Sequence, residues 1–215
     1  MAPVTPRTQL GSALASENKS TRLKAALAIG AEPRSDLVGF LIVRCAIEPD
    51  FYVRDMLTWA LTRLPPEVTV SKLLAELRSE RAQARSQALH TLSKIKDASV
   101  WPAITRSLLR DSDDEVARSA WRAAVVLVPN GQEKDLAEEL STQLGRGNRE
   151  VQLSLSRALV VLGEGVILPI LRKALANPDP RVRAHAIATE RLLRDPAAGS
   201  EPAVNEAKRI FVLGK

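Results

Sequence analysis

The chain has 215 residues, 45% of them hydrophobic and only 3% aromatic, with a formal net charge of +6 at pH 7. That composition suits a core of Ala/Leu-packed helices, and no apolar run reaches the ~20 residues that a membrane-crossing helix needs. One cysteine excludes an intrachain disulfide; the first twenty residues lack the basic start, apolar stretch and cleavage site of a secretory signal, so a cytoplasmic protein is expected.

Residues 1–6 hold two prolines and no periodicity, and are expected to form a loose tail. From residue 7 a pattern sets in. Leu10 and Leu14 stand four apart, a polar break ends in Asn18, and the pair Thr21-Arg22 follows. The same series recurs as Ile42, Ala46, Asp50 and Val53-Arg54, then as Leu73, Leu77, Arg81 and Ala84-Arg85. It continues as Thr105, Leu109, Asp113 and Val116-Ala117, as Leu140, Leu144, Asn148 and Val151-Gln152, and as Leu171, Leu175, Asp179 and Val182-Arg183. Successive pairs lie 31 to 35 residues apart, so this is an internal repeat and is read before anything else.

Each column has a physical role. Apolar residues four apart mark one face of a first helix. The Asp/Asn column sits three residues ahead of the next apolar position, where an N-cap accepts hydrogen bonds from the free amides of the first turn. A second helix then carries apolar or small residues at positions 0, 4, 7, 8 and 11, counted from the first residue of the pair. In the second copy these are Val53, Leu57, Ala60, Leu61 and Leu64; in the fourth, Val116, Ala120, Ala123, Ala124 and Leu127. Such a hairpin cannot bury its apolar face alone, so neighbours must stack. Pro65-Pro66 ends the second hairpin and Pro129-Asn130-Gly131 the fourth, while Gly145-Arg146-Gly147 predicts a protruding turn in the fifth. Beyond Arg194 the segment 196–215 reads as a loop and a helix at 203–213 capping the stack.

The Asp-x2-Val-Arg step (Asp50 to Arg54, Asp179 to Arg183) and the Ala-rich second helix resemble HEAT repeats of the short bacterial kind, over roughly residues 7–195. The resemblance implies an all-α, right-handed α-solenoid of about six helical hairpins in which the second helices line the concave side. Function is then sought at second-helix positions not spent on packing. Position 6 reads Leu27, Trp59, His90, Arg122, Arg157 and Ala188. With Arg118 at position 2 and Arg63 and Lys94 at position 10, the candidate binding set is Trp59, His90, Arg118, Arg122, Arg157, Arg63 and Lys94. A row of cations of this kind attracts phosphate backbones or acidic protein segments.

Other prominent residues have plainer readings. Arg22, Arg54, Arg85 and Arg183 are expected to pair with cap carboxylates of adjacent repeats. Trp101, which precedes Pro102 at the start of a first helix, and Trp121 read as packing residues, and Trp59 is divided between groove and packing. Cys45, on an apolar helix, reads as a buried small hydrophobe. His90 and His185 are too isolated for a metal site, and a lone histidine here reads as a surface residue.

Two function classes stay open. The first is a non-enzymatic scaffold that binds a protein partner, an acidic segment, through a basic groove, with no cofactor or metal. The second is a nucleic-acid-binding solenoid. Alkylpurine DNA glycosylases built from HEAT-like repeats give that class an enzymatic precedent, which would make Asp55 and Trp59, four apart on one helix face, the catalytic pair. HEAT-type lyase subunits that handle bilin pigments are a further enzymatic relative, with no feature beyond the repeat in common. No other catalytic motif appears, and the oligomeric state is open.

Overall fold

The computed structural model describes residues 6–196. The tail at 1–5 and the capping helix expected at 203–213 lie outside the described residues; Pro6, assigned to the tail, instead opens the first helix. Among the described residues there are twelve α-helices and no strand. They are α1 (Pro6–Leu14), α2 (Lys19–Ala31), α3 (Val38–Cys45), α4 (Phe51–Thr62), α5 (Pro66–Glu76), α6 (Ala82–Ile95), α7 (Arg106–Leu109), α8 (Asp114–Leu127), α9 (Glu133–Ser141), α10 (Arg149–Val161), α11 (Glu164–Leu175) and α12 (Pro180–Arg194). Odd-numbered helices are the first, and even-numbered the second, helices of six hairpins.

The chain divides into two units, Met1–Leu127 and Val128–Lys215, parted at the Pro129-Asn130-Gly131 break. The first holds four hairpins, its second helices α2, α4, α6 and α8 packing each on the next. The second holds two, with α10 on α12 and α9 on α11.

The cap column works as its chemistry requires. Asn18, Asp50, Asp113, Asn148 and Asp179 accept from first-turn amides at 2.8 to 3.1 Å, whereas Arg81 in the same column caps nothing with its side chain. All ten packing residues named for the second and fourth copies are buried. Burying each Leu or Val contributes about 1.5–3 kcal/mol, and the alanines let the helix axes approach. Trp121 packs as expected: it is fully buried and its Nε1–H donates to the Leu109 carbonyl at 2.8 Å.

Three local expectations need correction. The first helix of the fourth hairpin is not continuous: a 3-10 segment (Ala98–Ala103) contains Pro102, and only four α-helical residues follow in α7. Proline supplies no N–H to an α-helical ladder, and Thr105 starts the chain afresh by accepting from the Leu108 amide at 3.4 Å. The turn at 145–147 does not protrude. Gly145, at φ +83°, lies against the Val182 backbone, and Gly147, at φ +65°, against the Val151 side chain. Nor is His185 a surface residue, since it is 2% exposed. The Gly145 amide donates to its Nδ1 at 3.0 Å, and its Nε2 lies 2.9 Å from the Gln152 carbonyl. An accepting Nδ1 leaves the neutral ring's proton on Nε2, which therefore donates to that carbonyl. Ser156 and Thr189 complete the network, their hydroxyls 2.8 Å apart. Burial holds the His185 pKa below its ordinary value, partly opposed by the bond to Gln152.

Candidate binding face of the second helices

In the first unit the exposed edge of α4, α6 and α8 carries Asp55, Trp59, His90, Lys94 and Arg122. These positions are what remains when the 0, 4, 7, 8 and 11 stripe turns inward. His90 is half-buried. Its pKa is lowered first by burial, then by Arg122 and Lys94, and is raised in part by Asp55. Those three groups on three helices therefore act on one imidazole, and the cations outweigh the carboxylate. Asp55, Lys94 and Arg122 are exposed; the Arg122 guanidinium also donates to the Ser119 hydroxyl at 3.1 Å.

The remaining candidates are differently employed. Trp59 lies over Gly30 of α2, so close that a Cβ at position 30 would overlap its ring. The Arg63 guanidinium stands 5.4 Å from the ring centroid, and its Nε–H donates to the Gly30 carbonyl at 2.6 Å. Trp59 and Arg63 together thus close the C-terminal end of α2 while keeping one edge in solvent. Arg118 is half-buried and paired with Glu115 at 2.6 Å, a helix-turn ion pair. Arg157 is exposed on α10, in the second unit. Asp55 and Trp59 do share α4, but Trp59 is engaged with Gly30 and Arg63, which leaves less of its ring free for stacking. Ser86 and Ser119, at flanking positions of α6 and α8, are buried with their hydroxyls 3.0 Å apart, and belong to the helix interface.

The arginines of the pair column follow a rule that their residue type alone did not reveal. In each case Nη1 donates to the two carbonyls five and six residues earlier, in the turn joining the hairpin's own helices. Arg22 takes Ser16 and Glu17, Arg54 takes Glu48 and Pro49, Arg85 takes Ser79 and Glu80, and Arg183 takes Asn177 and Pro178, at 2.7 to 3.1 Å. They satisfy carbonyls of the turn that follows the first helix, where no helical ladder supplies a donor; the Glu48 carbonyl also receives Gln83 at 2.8 Å. Carboxylate pairing is secondary and avoids the N-cap residues that were expected. Arg22 binds Glu48 through two bonds of 2.7 and 2.8 Å, and Arg85 binds Asp111 likewise at 3.0 and 3.1 Å. Glu48 is fully buried and also receives Arg44 at 2.7 Å and the Asp50 amide at 3.0 Å. Burial pushes its pKa up, but Arg22, the Asp50 amide and Arg44 together hold it below the ordinary value.

Cys45 is 4% exposed, and burial pushes its thiol up to about 12, which leaves no thiolate for nucleophilic chemistry. Among the described residues no group of His, Cys, Asp and Glu could hold a metal ion, and no helix is long and apolar enough to cross a membrane. A feature the position-6 column did not flag is the aromatic pair Phe51 and Tyr52, packed edge to face at 5.7 Å and more than 60% exposed. Lys19 lies over Tyr52 and Arg54 over Phe51.

Stacked hairpins of about thirty residues, capped by Asp/Asn and packed through small residues, define the class as a helical-repeat protein of α-solenoid type. Within it, residues 40–125 match the family model for HEAT repeats. Its fold is similar to a chain in the complex of CpcE and CpcF of phycocyanin lyase from Nostoc sp. PCC7120, at 22% identity and a TM-score of 0.50, over 89% of this chain and 78% of that one. Two engineered proteins are also similar. One has 22% identity and a TM-score of 0.47 over 91% of this chain and 98% of its own, the other 18% and 0.48 over 88% and 98%. No curated protein matches.

Proposed function

We propose that the protein is a non-enzymatic scaffold, acting in the cytoplasm, whose second-helix face in the first unit binds an acidic segment of a protein partner. HEAT repeats, and a structural neighbour that is itself part of a two-protein complex, fit an interaction scaffold. The observation that carries the acidic partner is the exposure of Lys94 and Arg122 on the packed helices α6 and α8, one turn from half-buried His90 in the case of Lys94; both cations lower the His90 pKa, and Asp55 opposes them. Converging cations on a half-desolvated imidazole are stabilised by an incoming carboxylate more than isolated surface charges are. Arg157 adds a separate exposed cation on the second unit.

The test is fluorescence anisotropy with a labelled Glu-rich peptide and a labelled random DNA duplex, at rising salt. The peptide is expected to bind, and Lys94→Glu with Arg122→Glu to weaken it by about tenfold or more, equal to about 1.4 kcal/mol. Duplex binding that is tighter than peptide binding, falls steeply with salt and is abolished by the same substitutions would give the face to nucleic acid. If alkylated duplex then lost bases, and Asp55→Asn stopped the loss, the scaffold reading would fail altogether.

A further inference from the structure

On the other side of the first unit, α3 is apolar on both its inner and its outer side, with Arg44 its one charged residue. Leu41, Ile42 and Cys45 are buried on its inner face, yet Phe40 and Val43 on its outer side and Ile47 in the turn that follows are exposed by 37, 65 and 47%. Exposed apolar side chains clustered in this way mark an interaction surface. These three side chains, at spacings of three and four, form one wall of a groove of about 690 Å³ between α1 and α3. Its floor is open at Gly39, where an added Cβ would have no heavy atom within 4 Å.

The groove's charges are uneven. Asp36 at its edge is neutralised by Arg34 at 2.9 Å. Arg44 holds Glu48 through Nε, and Lys72, reaching in from α5, is exposed and forms no ion pair among the described residues. The rim is therefore cationic over an apolar floor. All the regular structure around it is helical, so no strand edge offers main-chain hydrogen bonds to an extended peptide. An occupant must bind through side chains, in the helix-in-groove mode.

We propose that this groove docks an amphipathic helix of a protein partner, with apolar residues seated between Phe40, Val43 and Ile47 and acidic residues on the edge that meets Lys72. It is a second docking face, independent of the cationic face of α4, α6 and α8, and a scaffold with two faces can bridge two partners.

The experiment uses the full chain and designed helical peptides of about five turns, with a leucine stripe edged by Glu or by Lys, read by anisotropy near physiological salt. The Glu-edged peptide is expected to bind about tenfold tighter than the Lys-edged one, with Lys72→Glu erasing the preference. Gly39→Leu fills the groove while adding apolar surface. It is expected to weaken Glu-edged binding by at least about tenfold without lowering Tm, as is Val43→Glu. The titrations are repeated in a Lys94→Glu with Arg122→Glu background, where the cationic face is removed and the groove's preference and its loss in Gly39→Leu should persist, so failure of either face is read separately. Three results overturn the proposal: no binding of either peptide, binding kept or tightened in Gly39→Leu, or a concentration-dependent dimer abolished by Val43→Glu, which would make a second copy the occupant.

Discussion

Gly30, His185 and Cys45 show how far single positions depend on their surroundings. Glycine at the last turn of α2 leaves room for the Trp59 ring. Gly30→Ala should therefore cost about 1–3 kcal/mol from overpacking, more than the roughly 1 kcal/mol that alanine returns in helix propensity. In a Trp59→Leu background most of that loss should vanish, and strictly additive melting data would refute the contact. His185 gives a pH dependence of definite sign. Its folded pKa is lowered, so the unfolded chain takes up a proton at a pH where the folded chain does not. Stability is thus complete above the ordinary histidine pKa of about 6.5 and is lost as pH falls below it. His90 adds in the same direction. Urea midpoints measured between pH 7.5 and 5.5 should fall in the wild type and fall less in His185→Gln; an equal fall would contradict the buried network. Cys45 should react with a thiol reagent only on unfolding.

At the scale of the element, in four of the six hairpins an arginine joins the leucines in holding the turn. Arg22 closes its own turn and also neutralises the fully buried Glu48, whereas Arg54 binds turn carbonyls and lies over the exposed Phe51 ring. Arg22→Met should therefore cost about 3–5 kcal/mol, the range for breaking a buried ion pair. Arg54→Met should cost about 1.5–3 kcal/mol, the range for hydrogen bonds to a charged group. Chemical denaturation of the two variants measures the order, and equal losses would mean that Glu48 is served by Arg44 alone. The caps, the packing stripe and the hairpin count were legible in the sequence because each rests on one residue type at a fixed spacing. The arginine's partners were not, because backbone carbonyls five and six residues back leave no mark on side-chain identity. The 3-10 segment was missed for a related reason: Trp101-Pro102 reads equally well as the start of a helix. Gly145 and Gly147 announced a turn, but only the position of α12 decides whether it protrudes or packs. Of the candidate face, the cations on α6 and α8 could be read from one helical column, while the occupation of Trp59 depended on a glycine 29 positions away.

Across the whole molecule, four of the arginines that contribute to the +6 charge, Arg22, Arg54, Arg85 and Arg183, are engaged in closing turns. The cations proposed to meet a partner are local: Lys94 and Arg122 around His90 on one face of the first unit, Lys72 over an apolar groove on another, and Arg157 on the second unit. The central claim is that an acidic segment docks beside His90, and the chain's two histidines make it directly measurable. NMR titration of the imidazole signals should place both pKa values below about 6.5 in the free protein. Adding the Glu-rich peptide should raise the His90 midpoint, because nearby carboxylates favour the imidazolium, and leave that of buried His185 where it was. An unmoved His90 midpoint under saturating peptide would contradict the account.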